Sequence, residues 1–254
     1  MTDVQIRAQP RQLSLKLSLD DEATFENFYV PSDGASGAAV LAHLRTRLSD
    51  WAARQPVLVA GTIVQDFTWL WGGRGAGCSH LLQAVCHAAD ACGLSVFYLD
   101  LGAPEALDPE ILSGLEHLDV LCLDHVEPIA GSAAWEQSLF NLYNRLAQTR
   151  CALLVAAHSS PKQLQFVLPD LHSRLQSAAV FHLLNLDDQH KAAALQLRAK
   201  LRGFVLGDDV AQYLVRRSER SMTSLFAVLQ QLDRHSLETG RKVTVPLLKS
   251  LMGW

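Results

Sequence analysis

The sequence predicts an α/β domain built on a parallel five-stranded sheet, followed by a small all-helical subdomain. Three observations carry this. An apolar strand runs into a glycine-rich turn and then a helix at Phe67–Leu82. Short apolar runs then alternate with helical stretches, the pattern of a parallel sheet with helices on both faces. Beyond Leu184 the strands stop, and four helical segments follow.

In chain order, Gln12-Leu-Ser-Leu-Lys-Leu-Ser-Leu19 alternates polar and apolar residues and reads as an extended segment. Val40, Leu41, Leu44, Leu48 and Trp51 mark one face of a helix. Val57–Asp66 reads either as an edge strand or as a loop insertion. Strands are predicted at Phe67–Trp71, Ser95–Leu99, Val120–Asp124, Ala152–Ala157 and Val180–Leu184. Helices are predicted at Cys78–Cys92, Pro109–His117, Ser132–Gln148 and Pro161–Phe166, with a short one at Leu171–Leu175. Asp187 then caps a helix to Leu201, which Gly203 ends. Asp208 caps a second, and Ser221 a third that runs to Thr239. Thr244 and Pro246 open a short last helix. The expected division is an extended segment 1–20, an α/β core 21–184 and a helical lid 185–254.

Composition narrows the function classes. The 254 residues allow one large domain with a small lid, and the 49% apolar share fills a core. With 26 acidic against 22 basic residues and a net charge of −4, no basic surface for tracking duplex phosphates is expected. Cys78, Cys86, Cys92, Cys122 and Cys151 form no C-x-x-C pair or metal-ligand spacing and read as reduced thiols of a cytoplasmic protein. Met1–Pro10 is polar, with no signal-peptide pattern. The longest apolar run, Val57–Val64, contains Gly61 and is too short to span a bilayer. The histidines show no HExxH pattern, and no G-x-S-x-G element is present.

The glycine turn carries the chemistry. Gly72, Gly77 and Ser79 set the frame G-x-x-x-x-G-x-[ST], filled in by Gly73, Arg74, Gly75, Ala76 and Cys78 and followed by His80. Such a loop curls its N–H groups toward phosphate oxygens at a helix N-terminus. Ser79 stands where a hydroxyl holds Mg²⁺, but the lysine expected before it is Cys78. A second signal is Leu118–His125, an apolar strand ending in Asp124. A strand-end aspartate often caps the next turn. Its place one strand–helix unit past the loop favours a second Mg²⁺ ligand instead. The neighbouring acid that would polarise water is replaced by His125, with Glu127 two positions on.

Loop, aspartate strand and helical tail together resemble an AAA+ module. Ala23–Val30, Gly75–Leu82, Trp135–Arg145 and Leu168–Leu175 are similar to segments of the DnaA-related AAA+ family. Leu195–Gly203 and Arg241–Lys249 are similar to the lid of that family's regulatory inactivators. The resemblance covers nearly the whole chain. The initiator's C-terminal DNA-binding helices have no counterpart, so no direct sequence-specific DNA binding is expected.

The resemblance implies site roles. Arg174 corresponds to the arginine finger that one subunit offers to a neighbour's ATP; the bland reading is a surface salt bridge. His158 falls where the family has a polar sensor, or is a satisfied strand-end residue. Thr223 stands where a sensor arginine would be, with Arg220 nearby. Phe28 and Tyr29 line the base or ribose, or are plain core. Gln12, Leu13, Ser14, Leu15 and Leu17 resemble a clamp-binding peptide, in which the amide meets a pocket rim and the leucines are buried; the alternative is an edge strand.

The implied function is negative regulation of replication initiation. With the DNA-loaded sliding clamp (the DNA polymerase III beta subunit), the protein would stimulate hydrolysis of ATP bound to DnaA. Its own pocket would hold ADP or another nucleoside diphosphate, with Mg²⁺ at Ser79 and Asp124. The expected location is cytoplasmic, nucleoid-associated through the clamp, without membrane contact, and a homodimer masking Arg174 or the N-terminal peptide is compatible. Three alternatives stay open. A weak self-acting ATPase needs Arg74 or another cation to replace the lysine. An adaptor would recruit replication proteins without stimulating hydrolysis. A small-molecule phosphotransferase is disfavoured by the lack of a substrate-binding insertion and a suitable base.

Overall fold

The computed structural model describes residues 19–20, 22–54, 58–59, 62–63, 65–219, 221–239 and 242–254. The Gln12–Leu17 segment and Arg220 lie outside the described residues.

Helix α1 (Ala35–Ala52) buries Val40, Leu44 and Trp51, the face its apolar spacing predicts. The ambiguous 57–66 stretch contains two short strands, β1 (Leu58–Val59) and β2 (Thr62–Ile63), paired antiparallel. Then come β3 (Phe67–Gly72), α2 (Cys78–Ala91), β4 (Val96–Asp100), β5 (Val120–Asp124), α3 (Ala133–Leu146), β6 (Ala152–Ala157), α4 (Pro169–Leu175) and β7 (Ala179–Leu183). The strands from β3 onward form one five-stranded sheet in the order β4-β5-β6-β3-β7, and every pair is parallel.

Alternation along each strand divides the core between the two faces. Trp69, Leu121, Leu123, Leu153 and Val155 pack with α3 and α4 residues such as Leu139, Leu142 and Leu171. Leu70, Val120, Cys122, Leu154 and Ala156 pack with Leu81, Leu82 and Val85 of α2 and Val40 and Leu44 of α1. The central strands β5 and β6 are buried throughout, hence their unbroken apolar sequences.

Two predicted helices fail. Pro109–His117 is broken at Gly114, whose φ of +82° fits no helix, into 3₁₀ turns Pro109–Leu112 and Leu115–His117. The 161–166 stretch is a turn held by Gln163 N–H on Ser160 O, too short to sustain helical bonding before Pro169 opens α4.

The tail is helical: α5 (Asp188–Leu201), α6 (Asp208–Arg217), α7 (Met222–Thr239) and α8 (Val245–Met252). They close on their own core of Leu195, Val210, Leu214, Leu225, Leu229 and Leu248. Asp187, Ser221 and Thr244 accept from His190, Ser224 and Leu247 N–H, the caps their positions predict. Asp208 does not cap α6. Gly207 holds that position, and Asp208 is the first helical residue, where its charge still favours the helix N-terminus.

Candidate functional site

The register of the parallel strands lines up their carboxyl ends. Asp100 lies opposite Asp124, and Gly72 lies opposite Leu183. At this edge the loop after β3 turns tightly. A methyl at Gly72 would fall 2.4 Å from Leu183 O and 2.8 Å from Ala76 Cβ. Gly75 and Gly77 adopt φ of +82° and +98°, and Gly77 precedes α2 with no side chain of its own to cap it. Gly73 O accepts from Ala76 N–H at 2.9 Å, and Asn185 Nδ2 donates to Arg74 O at 2.9 Å. Arg74 is itself exposed. The result is a narrow backbone cradle at a helix N-terminus, and it fits a phosphate group.

The residue in the lysine position turns inward. Cys78 is buried, and burial, then the charge of Asp124, pushes its thiol up to about 12. Ser79 and His80 follow in the first turn of α2, both half-buried. His80 Nε2 lies 2.9 Å from Thr24 O, and burial lowers its pKa.

Asp124 is 1% exposed, and both its oxygens have donors. Tyr98, on the neighbouring strand, donates its hydroxyl to Oδ2 at 2.7 Å; His125 N–H donates to Oδ1 at 2.9 Å. Each carboxylate oxygen keeps one lone pair. His125 takes a left-handed φ of +50°, and its Nδ1 lies 2.9 Å from Asp100 Oδ1. Burial lowers the His125 pKa, but the Asp124 charge and the Asp100 bond outweigh it, so it is raised. His158, at the end of β6, donates its N–H to Glu127, and its Nδ1 lies 3.4 Å from the same carboxylate. The His125 and His158 rings are 5.7 Å apart. The two histidines and three acids Asp100, Asp124 and Glu127 thus form one constellation beside the cradle.

Phe28 and Tyr29 face different bodies. Phe28 packs with the core and covers the loop so closely that a methyl at Gly77 would sit 2.6 Å from its ring. Tyr29 packs with the helical tail, its ring 6.1 Å from that of His190. The start of α7 reaches the loop as well: Met222 N lies 3.7 Å from the methyl position of Gly75. Thr223 follows it and is exposed.

Arg174 occupies the last turn of α4 and is half-buried, not sealed inside the core. Its guanidinium lies over the rings of Phe140 and Tyr143, at 5.0 and 5.6 Å. Among the described residues it has no carboxylate partner, so the surface salt-bridge reading does not hold there.

The family model described as "Hda, lid domain" matches residues 188–252, which span α5 to α8. Domain III of the Thermotoga maritima replication initiation protein DnaA superposes with a TM-score of 0.71 at 19% identity, over 93% of this chain and 98% of that one. The chain has the fold of the DnaA AAA+ domain, and its helical tail is similar to the lid domain of Hda. AMPPCP-bound DnaA from Aquifex aeolicus follows, with a TM-score of 0.67, 20% identity and coverage of 87% of this chain and 68% of that one. The Thermotoga maritima RuvB Holliday junction branch migration motor gives a TM-score of 0.58 at 15% identity, over 84% of this chain and 68% of that one.

The helical lid is tied to the core by charge. Arg198, on α5 of the lid, and Arg202, which caps that helix's C-terminus, both donate to Glu22 ahead of α1, Arg198 at 2.8 Å. Arg198 is 4% exposed and lies over the ring of Phe226, 4.6 Å away. Arg202 also reaches Asp233 at 3.4 Å. The guanidinium of Arg202, through its hydrogen bond, holds the Glu22 carboxyl below the usual glutamate range.

Sequence reasoning missed Tyr98, Asp100, Asn185, Glu22 and the two lid arginines. An aromatic two residues before a strand end carries no motif. Only the pairing of β4 with β5 puts its hydroxyl on Asp124.

Proposed function

We propose that this protein is a DnaA-related regulator of replication initiation that promotes hydrolysis of ATP held by another subunit. One observation carries the reading: the contrast between Arg174 and the protein's own loop. Arg174 is a guanidinium held on aromatic faces, without a counter-ion among the described residues, beside an accessible surface. The loop keeps its cradle but replaces the lysine with a buried, protonated thiol. His125 stands where a second acid would act.

In this reading the backbone around Gly73–Cys78 holds a nucleoside diphosphate, with Mg²⁺ at Ser79 and Asp124. That ligand supplies a charged wedge between core and lid. Phe28 on one side and Tyr29 on the other receive the base and ribose, His158 and Thr223 face the phosphates, and the Glu22 latch fixes the lid. The nucleotide-bound DnaA relative supports a pocket of this class. Arg174 is offered to the γ-phosphate of ATP on DnaA. There a planar guanidinium stabilises transition-state charge and is worth about 10³–10⁵ in rate. Gln12–Leu17 tethers the protein to the sliding clamp on DNA, which raises the effective concentration of a weak encounter.

The test mixes the purified protein with ATP-loaded DnaA, with and without clamp loaded on DNA, and follows phosphate release. Stimulation is expected only with loaded clamp, and Arg174→Ala abolishes it while leaving clamp binding intact. Stimulation that survives Arg174→Ala refutes the arginine assignment. Recruitment without hydrolysis by the unaltered protein identifies an adaptor.

A further inference from the structure

We propose that Glu136 is a positioning residue for Arg174, an inference that rests on the functional reading of that arginine. Glu136 is fully buried, 0% exposed, inside the α/β core. It has no basic partner among the described residues. Its carboxylate instead accepts three backbone N–H groups. Oε1 takes Gly131 N–H at 2.7 Å and Val167 N–H at 3.0 Å, and Oε2 takes Leu168 N–H at 2.7 Å. A buried carboxylate is retained only when such donors compensate its lost hydration.

The donors come from two places that matter. Val167 and Leu168 are the residues immediately before α4, and Leu168 is its N-cap. That cap has no side-chain bond of its own, so Glu136 satisfies the start of the helix from outside. Gly131 closes the turn that follows Glu127, one of the acids beside the nucleotide cradle. One carboxylate therefore joins the loop of the protein's own site to the helix bearing the arginine.

The same stripe of α3 finishes the hold. Glu136, Phe140 and Tyr143 recur at helical spacing on one face. Phe140 and Tyr143 lie under the guanidinium. The Tyr143 hydroxyl lies 2.9 Å from Ser177 Oγ, which donates to Arg174 O at 2.7 Å. A helix of seven residues such as α4 cannot fix its own direction. It is pinned at its start by Glu136 and at its end through Ser177. The direction of Arg174 is thus set from α3.

Glu136→Gln keeps size and shape but presents an amide N–H to Leu168 N–H, so that bond is lost. Two readouts separate positioning from mere stability. The first is the side-chain Nε–H signal of Arg174 in ¹H–¹⁵N spectra, assigned by its loss in Arg174→Lys and displaced by the rings beneath it. It is expected to move toward the position of a free arginine, while backbone amides away from α3 and α4 stay put. The second is DnaA stimulation. The maximal rate is expected to fall about ten- to a hundredfold, as for a slightly misplaced catalytic group, with the half-saturating concentration unchanged.

Should Glu136→Gln fold poorly, Val167→Pro deletes one donor from an exposed position and leaves the carboxylate in place; a smaller move in the same direction is expected. An Arg174 signal that stays fixed in the folded variants overturns the proposal, as does a signal that moves with no change in maximal rate. If Arg174→Ala itself leaves stimulation intact, the functional reading fails instead, and the spectra alone still judge whether Glu136 orients the side chain.

Discussion

Arg198 of the lid donates to Glu22, 176 positions earlier in the chain, at 2.8 Å. The bond leaves Arg198 almost wholly buried, so losing its partner strands a charge. Glu22→Gln should lower stability by about 1–2 kcal/mol, allowing for solvent screening at the partly exposed carboxylate. That corresponds to a melting temperature about 3–6 °C lower, checked by calorimetry. The pH dependence has a definite sign. The folded Glu22 carboxyl sits below its ordinary value. Its contribution is therefore present above the usual glutamate range, roughly pH 4.3, and is lost as pH falls through the lowered value. The difference between the two proteins should be constant from neutral pH down to that range and vanish in stronger acid.

Tyr98→Phe removes the hydroxyl from Asp124 Oδ2 and from Gln83 Nε2, which donates to it at 3.3 Å. A buried acceptor loses its donor, so the expected cost is about 1–3 kcal/mol. Urea unfolding should show a lower midpoint with an unchanged slope. An unaltered midpoint means that the Tyr98 hydroxyl does not stabilise Asp124.

Cys92 is exposed, while Cys78, Cys86, Cys122 and Cys151 are buried. Only Cys92 should react with a thiol reagent at pH 8 in the folded protein. Burial pushes the thiols of Cys78 and Cys151 up to about 12. In the unfolded chain they ionise near pH 8.5. Their raised values therefore stabilise the fold below that pH, and the contribution drains away as pH climbs toward the folded values. Cys78→Ala should flatten the alkaline decline in melting temperature.

Gly77→Ala imposes a side chain on φ +98° and drives it toward the Phe28 ring at 2.6 Å. The backbone term alone costs about 1–2 kcal/mol. Pairing it with Phe28→Leu should recover the steric part but not the backbone part. Additive losses in the double-mutant cycle would show that the two residues do not touch.

Much of the fold was legible because its causes are local. The apolar run Phe67–Trp71 ahead of a glycine turn announces a buried strand, and Asp187, Ser221 and Thr244 announce helix starts within four residues. The glycine frame at 72–77 is local too. Pro109–His117 misled because its apolar spacing suits a helix, while one glycine conformation, at Gly114, divides it. The site was less legible. Tyr98 reaches Asp124 only through strand register, and Glu136 meets Val167 and Leu168 across 31 and 32 positions. Such contacts depend on how elements are laid side by side, which no window of sequence records. Arg174 was found by resemblance; its bed of Phe140 and Tyr143 was not.

That bed sets how easily Arg174 can leave. A guanidinium locked to a carboxylate must break a charged bond before it can serve another molecule. Contact with ring faces is worth only about 0.5–1 kcal/mol at a partly open site. Arg174 therefore rests in a shallow well, which in the proposed role would hold its direction between encounters and surrender it at each one. An arrangement of this kind suits a visitor that meets many partners briefly, and it would serve poorly as the glue of a permanent complex.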